Sequence, residues 1–293
     1  REVKPPVFKY VRVTSLEEAL AALAEYGEDG KIIAGGQSLV PMMNFRIVEP
    51  AVLIDINPVQ ELDYVRVEND SLRIGARTRQ RTLETSPDVR ASCPLLAEAV
   101  KWVGHPQIRN RGTIGGSLVH GDPTAELALV VTLLNAEFVI QGKGGRRTVR
   151  PDDFFEGLMA ARIEENEILT QVSCSVIPPR SGYGFQELCI RHGDFAVVAA
   201  AVQVTLGDDG RCAETRVAVS GAGPRPARMG GAEAALIGKD GSPKDLEAAA
   251  ASVCAAVDPV SDLKGSADYR REMAKVFVRR ALEEAWSKAR RGQ

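Results

Sequence analysis

The chain has 293 residues, enough for two domains and a well-buried core. Apolar residues make up 44%, charged residues 26%, and the net charge is -2, the balance of an ordinary globular protein without the electrostatic footprint of a nucleic-acid binder. The central apolar run from Leu127 to Leu134 is far too short to cross a membrane, and residues 1–6 lack the apolar region of a signal peptide. The expectation is a cytoplasmic chain with no membrane span, trimmed at its N-terminus because Arg1 is not an initiator. Cys93, Cys174, Cys189, Cys212 and Cys254 are odd in number and never spaced as CxxC. That pattern argues against a disulfide framework, a zinc site or an iron–sulfur cluster held by this chain, and reads as buried thiols.

In chain order, residues 8–13 form a short strand. Ser15 with Glu18 three positions on is a capping box. Leu16, Leu20 and Leu23 then carry a helix to about Tyr26, closed by Gly27. Lys31, Ile32, Ile33 and Ala34 form a strand that ends at Gly35-Gly36, with Gln37, Ser38 and Leu39 beyond. Met42 and Met43 read as core. Residues 52–55 are a strand ended by Asn57-Pro58, residues 64–67 and 72–74 a hairpin, and Thr78 opens a short helix. From Pro94, residues Leu95, Leu96, Ala99, Val100 and Val103 lie at helical spacing.

The polar, turn-rich run 104–111, from Gly104-His105-Pro106 to Asn110-Arg111, leads into a second glycine stretch, Gly112-Thr113-Ile114-Gly115-Gly116-Ser117. Such loops carry function more often than their length suggests. Of the three histidines, His105, His120 and His192, none has a partner the sequence identifies. Thr124 is placed to cap a helix over 125–134, with Asp122 and Glu126 flanking its start. Either carboxylate suits sugar-like hydroxyls, but on the residues alone the simpler reading is a cap or a first-turn charge that complements the helix dipole.

Residues 137–140 and 146–149 form a hairpin, and residues 168–176 a further strand. Residues 178–182 are a Pro-Pro-Arg-Ser-Gly linker. Strands 196–206 and 211–219 come next, joined by Asp208-Asp209-Gly210, then helices over 227–236, 243–257 and 268–290. This predicts domains 1–177, with subdomains of about 1–57 and 58–177, and 178–293, the latter an antiparallel sheet with helices on one side.

Both glycine stretches read as tight turns at strand ends. Glycine lets the backbone take positive φ and approach a ligand, and successive N–H groups form a nest for phosphate oxygens. Ser38, Thr113 and Ser117 offer hydroxyls. Singly, each stretch fits an ordinary turn as well as a nest; as a pair, they read as holding one anionic ligand between them. Neither matches the Rossmann or P-loop signature.

The two stretches, the Pro-Gln-Ile-Arg-Asn-Arg-Gly run of 106–112, the Gly-Asp-Phe-Ala of 193–196 and the segment 261–271 resemble the FAD-binding medium subunit of molybdenum hydroxylases. That group includes the carbon monoxide dehydrogenase medium subunit and the flavin domain of xanthine dehydrogenase. The resemblance implies an α+β chain with the PCMH-type flavin fold shared with vanillyl-alcohol oxidases: two α/β subdomains, then an antiparallel sheet with helices.

It further implies FAD held by Ala34, Gly35, Gly36, Gln37 and Ser38 and by Thr113, Ile114, Gly115, Gly116 and Ser117, with Ile32, Ile33 and Leu39 lining the cleft. Val103 and Phe195 would lie on the flavin side, Leu169 on the adenine side, and Asp122 and Glu126 in a second flavin loop. This sequence has Glu126 where many relatives have Asp, Glu187 where they often carry Lys, and Phe195 where the carbon monoxide enzyme has Tyr.

The implied partners are a large subunit with the molybdenum cofactor and a small subunit with [2Fe-2S] clusters, as a dimer of heterotrimers, with an external electron acceptor and no nucleic acid. No residue of this chain is assigned as catalytic, and no metal ligand is assigned. The competing readings are a stand-alone flavin oxidase of the vanillyl-alcohol type, with His105 placed for a covalent flavin link, and a non-catalytic nucleotide-binding assembly subunit.

Overall fold

The structure, a computed structural model, describes residues 3–292. Arg1, the residue behind the expectation of trimming, lies outside them. Strand β1 (Lys9–Arg12), helix α1 (Leu16–Tyr26), β2 (Gly30–Ile33), α2 (Leu39–Asn44) and β3 (Val52–Asp55) make the first unit, a parallel sheet in the order β1-β3-β2.

Ser15 Oγ accepts from the Glu18 N–H at 3.1 Å, as the capping box requires. Glu18 Oε2 in turn accepts from the N–H of Thr14 at 2.6 Å, one residue before the cap. Ala19, Ala22 and Leu23 of α1 share a core with Val52 and Ile54 of β3. Helix α2, not anticipated from sequence, starts directly after the first glycine stretch and buries Met43, as expected, but leaves Met42 half-buried. Because the strands are parallel, Ile33, Asp55 and Arg12 end side by side at one edge. In open α/β sheets ligands bind outside the carboxyl ends of the strands.

The second unit holds β4 (Val65–Glu68), β5 (Ser71–Gly75), α3 (Gln80–Thr85), α4 (Pro87–Ser92), α5 (Pro94–Ala99), α6 (Pro106–Arg109), α7 (Ile114–His120), α8 (Glu126–Leu133), β6 (Glu137–Gly142), β7 (Gly145–Val149), α9 (Pro151–Phe154), β8 (Phe155–Gly157), β9 (Ala160–Ala161) and β10 (Glu167–Ser175). Its main sheet is antiparallel, in the order β4-β5-β10-β6-β7.

Two expectations are corrected here. The second glycine stretch is the start of a helix, α7, with Thr113 as its N-cap, rather than a turn at a strand end. Thr124 does not cap α8: its N–H and Oγ1 both donate to Asp122 Oδ1, at 2.8 and 2.7 Å, and the N-cap position falls to Ala125.

The C-terminal region has β11 (Ser181–Leu188), β12 (Val198–Leu206), β13 (Cys212–Ser220), β14 (Ala227–Arg228), α10 (Gly230–Leu236), α11 (Pro243–Ser252) and α12 (Ala267–Arg291), with an antiparallel sheet in the order β11-β12-β13-β14. Ser181 and Gly182 thus open a strand rather than end a linker, and Ala227 and Arg228 are strand, with the helix starting at Gly230.

Helices of this region cover one face of the sheet, as expected. The other face is not open: α8 packs on it. Val198, Ala200 and Val202 of β12 belong to the core beneath α12, whereas Ala199 and Ala201 belong to the core that contains α8. That explains why all eight residues of α8, Glu126 included, are buried. Among the described residues no helix is long and apolar enough to cross a membrane.

Candidate functional site

At the carboxyl edge of the parallel sheet, Tyr10, Ile33, Ala34, Gly35, Gly36, Gln37, Val40, Pro41, Asn44, Asp55, Asn57 and Arg111 line a cavity of about 510 Å³. A Cβ on Gly35 would lie 2.5 Å from the carbonyl oxygen of Arg111 and 2.8 Å from Gly112 Cα. The two glycine stretches therefore meet backbone to backbone, and only glycine permits the contact. Gly36 has φ +71°, the left-handed region, which turns the chain out of β2 and into α2.

Among the described residues, the backbone N–H groups of Gly35, Gly36, Gln37 and Ser38 donate to no protein acceptor. Buried or half-buried backbone donors are nearly always paired, so an unpaired run beside a cavity is a place for an anionic ligand.

The second stretch is different. Ile114 N–H donates to Thr78 O at 3.1 Å, Gly115 to Ala76 O at 2.8 Å, and Ser117 to Thr113 O at 3.1 Å. Gly116 N–H donates to Thr113 Oγ1 at 3.1 Å. Each of these donors is spent inside the protein. What this stretch offers the cavity is the closely fitted backbone at Arg111 and Gly112.

Asn57 ties the two together. Its Nδ2 donates to Ala34 O at 2.7 Å, its Oδ1 accepts from Arg79 Nη2 at 2.5 Å, and its carbonyl accepts from Arg77 Nη1 at 2.8 Å. Arg79 Nη1 donates onward to Arg111 O. Burial, with the like charges of Arg77 and Arg111, holds the Arg79 guanidinium below its ordinary pKa. Arg77 is paired with Asp63 at 2.6 Å, whereas Arg111 lines the cavity with Arg79 bonded to its carbonyl, so these two guanidiniums attract negative charge to this wall. Asp55 is also buried; burial pushes its carboxyl up, but hydrogen bonds from Tyr10 and Asn57 and the charge of Arg12 outweigh it and hold the group below its ordinary value.

The remaining predicted residues do not line this cavity. Ser38 and Leu39 lead into α2, while Ile32 packs against the core of the first unit. Val103 is half-buried on a loop fixed by Arg109, whose Nη1 donates to the carbonyls of Lys101, Val103 and Gly104 at 3.2, 3.1 and 3.1 Å and whose Nε donates to Glu84 at 2.9 Å. That loop meets the 192–195 loop: His192 lies 5.2 Å from Trp102, and His105 packs against Gly193. Phe195 is 62% exposed. Asp122 and Glu126 lie beyond the far end of α7, and burial raises the Glu126 carboxyl to about 7. Leu169 is not brought to the cavity; it is buried in the core opposite Ile140 on β6.

Tyr10, Asp55, Asn57, Arg79 and Arg111 escaped the sequence reading. The signal for Asp55 and Asn57 was present: a strand ending in Asp-Ile-Asn-Pro beside one ending in Gly-Gly places polar groups at one sheet edge.

Comparison with known proteins adds two family matches, an FAD binding domain in molybdopterin dehydrogenase over residues 6–178 and a CO dehydrogenase flavoprotein C-terminal domain over residues 183–285. The chain is 42% identical to the 6-hydroxypseudooxynicotine dehydrogenase complex subunit alpha of Paenarthrobacter nicotinovorans, covering 98% of this chain and 97% of that one. It is 39% identical to the carbon monoxide dehydrogenase medium chain of Hydrogenophaga pseudoflava, covering 97% and 99%. The solved structure of the carbon monoxide dehydrogenase from Hydrogenophaga pseudoflava superposes with a TM-score of 0.94 at 41% identity, over 97% of this chain and 99% of that one.

Proposed function

The chain belongs to the FAD-binding subunit family of the molybdenum hydroxylases, and from that premise we propose that it is the electron-transferring flavoprotein of a heterotrimeric dehydrogenase. The observation that carries the reading is the run of N–H groups at Gly35, Gly36, Gln37 and Ser38, unpaired among the described residues and set beside Arg111 with the Arg79 guanidinium bonded to it. Those donors suit a pyrophosphate, and the cavity of about 510 Å³ suits part of a dinucleotide.

Gly35 to Ser38 would hold the pyrophosphate, with Ile33 and Ala34 on the cavity wall. Thr113 to Ser117 would supply the rigid opposite wall and the Ser117 hydroxyl. Val103, fixed by Arg109, with Asp122, Glu126 and Phe195, would border the flavin. When bound, FAD would supply the redox chemistry that links [2Fe-2S] clusters of a small partner subunit to an external acceptor. This chain binds, orients and shields; substrate oxidation belongs to a large subunit with the molybdenum cofactor.

We assign the flavin domain to residues 1–177, with subdomains at about 1–57 and 58–177, and the remainder to 178–293. The assembly is a dimer of heterotrimers in the cytoplasm, a reducing compartment that suits the free thiols of this chain. Coexpression with the two neighbouring subunits tests the reading. The expected product is a yellow complex with one FAD per copy of this chain, released on acid precipitation. A colourless chain, a covalently held flavin, or a lone fully active dehydrogenase would overturn it.

A further inference from the structure

Two buried carboxyls lie at the seam between α8 and the C-terminal sheet: Glu187 is aligned through Ala199 with Ser220, and the next residue, Gly221, donates its N–H at 3.3 Å to the carbonyl of Pro123, three residues before Glu126. Glu126 opens α8 and is 8% exposed; Glu187 sits near the end of β11 and is 7% exposed. Glu187 shares a strand face with Phe185, which packs in the same core as α8. Among the described residues, neither Oε1 nor Oε2 of Glu187 has an N–H or O–H donor; the one group within reach is the weakly donating Cys189 thiol. A buried carboxylate with no stronger donor than a thiol is strongly disfavoured, so at this position the group is held as the neutral acid.

Burial pushes the Glu187 carboxyl up to about 9; the charge of Glu126 adds to this, and the Cys189 thiol and the Lys264 ammonium oppose it. Burial raises Glu126 to about 7, with its own backbone N–H pulling down and Asp122 pushing up.

The other groups facing the pair are accounted for. Asp122 is engaged by Thr124. The Cys189 thiol is pushed up by burial, then by Glu187, Asp194 and Glu126, and stays protonated. Lys264 is committed to Phe195, donating to its carbonyl at 3.0 Å with the ring centroid 5.4 Å from Nζ. Among the described residues, the pair therefore lacks a salt-bridge partner that would fix it as a carboxylate.

Helix α7 spans about 10 Å between the second glycine stretch and the loop that leads to Glu126. Glu126 follows the last residue of α7 by six positions, while the phosphate-binding donors meet the chain at Gly112, just before its first turn.

Resting on the reading of the cleft as an FAD site, we propose that Glu126 and Glu187 are a proton-holding pair beside the flavin, and that its proton occupancy sets the flavin's redox potential. A neutral pair leaves the potential high. Release of a proton to solvent leaves a buried negative charge that opposes the gain of electrons nearby, and the potential falls. Both residues act through the field at the cofactor.

The test compares the assembled complex with its Glu187→Gln variant, whose amide keeps the size of the neutral acid and cannot ionise. The flavin potential is followed by dye-equilibrated spectral titration from below about 7 to above about 9. The two curves are expected to coincide at the acid end, with wild type falling below the variant at the alkaline end. Glu126→Gln should move that fall to lower pH, because the charge that opposes Glu187 ionisation is gone.

An infrared difference spectrum of the flavin-free chain across the same window provides a second readout. Wild type should lose a neutral-carboxyl band that Glu187→Gln lacks. Potential curves of wild type and Glu187→Gln that superimpose throughout, or a carboxyl band unchanged by the substitution, would overturn the proposal while leaving the FAD reading intact. A complex without flavin would overturn both.

Discussion

Among the described residues, the backbone donors around Gly35 and Gly36 have no protein acceptor; around Gly115 and Gly116 every donor is taken, by Thr78, Ala76, Thr113 Oγ1 and Thr113 O. In sequence the two stretches are near-duplicates, glycine pairs among hydroxyl and β-branched residues. The difference lies in the backbone path on either side of each pair. After Gly36, φ +71° throws the chain outward before α2 can begin, so the amides of the turn stay free. After Thr113 the chain is already helical, and the cap consumes the amide it would otherwise present. One stretch is a cradle and the other is the wall it is braced against. Composition alone does not separate the roles; the hydrogen bonds do.

The largest expected effect tests that split directly. Gly35→Ala drives a Cβ to within 2.5 Å of the Arg111 carbonyl and 2.8 Å of Gly112 Cα, both backbone atoms that cannot swing aside. Overpacking of this kind should destabilise the chain by about 3 kcal/mol and empty the flavin site. At Gly116 the added Cβ meets only the Thr113 hydroxyl, at 2.8 Å. Gly116→Ala should cost about 1 kcal/mol or less, since the lost cap is offset by better helix propensity. Urea midpoints and the flavin-to-protein absorbance ratio give both values. Equal effects at the two positions would break the comparison.

Arg79→Met comes next. Arg79 bridges Asn57 on the cradle side to Arg111 on the wall side, so its loss frees one from the other. Charge-assisted hydrogen bonds of this kind contribute about 1.5–3 kcal/mol, which predicts a flavin dissociation constant raised by at least about tenfold. Fluorescence titration of the flavin-free protein measures it. An unchanged constant would mean the two stretches hold their spacing without the bridge.

Thr113→Val has a smaller and more selective signature. It deletes the acceptor of the Gly116 N–H and should cost about 1 kcal/mol of folding stability. If the second stretch is only a brace, the flavin dissociation constant should move by less than about threefold. A large loss of affinity with intact stability would make Thr113 a ligand contact.

Much of this arrangement could be read from the residues. Apolar β-branched runs located β2, β3 and β10, the Ser15–Glu18 pair located α1, and the spacing of Phe277, Ala281, Leu282 and Ala285 located α12. The first glycine stretch was legible because a strand ran straight into it. Strand β11 was not, because Gly182 and Gly184 look like breakers in a linker. They are there because α12 lies directly on the strand: a Cβ at Gly184 would sit 2.1 Å from Ala281 O. Tyr10, Asp55 and Arg111 were missed since they are far apart in sequence and meet only once β1 and β2 flank β3 and the wall closes on Gly35. Glu187 drew notice only as a departure from relatives; its lack of a partner depends on α8 covering the sheet.

The smallest effect concerns the acid stability of the cradle. Asp55 is held below its ordinary carboxylate value of 3.8 because hydrogen bonds from Tyr10 and Asn57 and the Arg12 charge outweigh its burial. A carboxyl depressed on folding contributes stability above its unfolded pKa and loses it as pH falls through the folded value. Wild type should therefore be more stable than Asp55→Asn at about pH 6, by about 1 kcal/mol or less, and the gap should close below about pH 4. The brace shows no carboxylate pair of this type in its own hydrogen bonds, so Thr113→Val should keep a constant deficit over the same range. Thermal midpoints of the three proteins at each pH decide the matter. Parallel curves for wild type and Asp55→Asn would remove Asp55 from the forces that hold the cradle, and a pH-dependent deficit for Thr113→Val would mean that cradle and brace titrate as one unit.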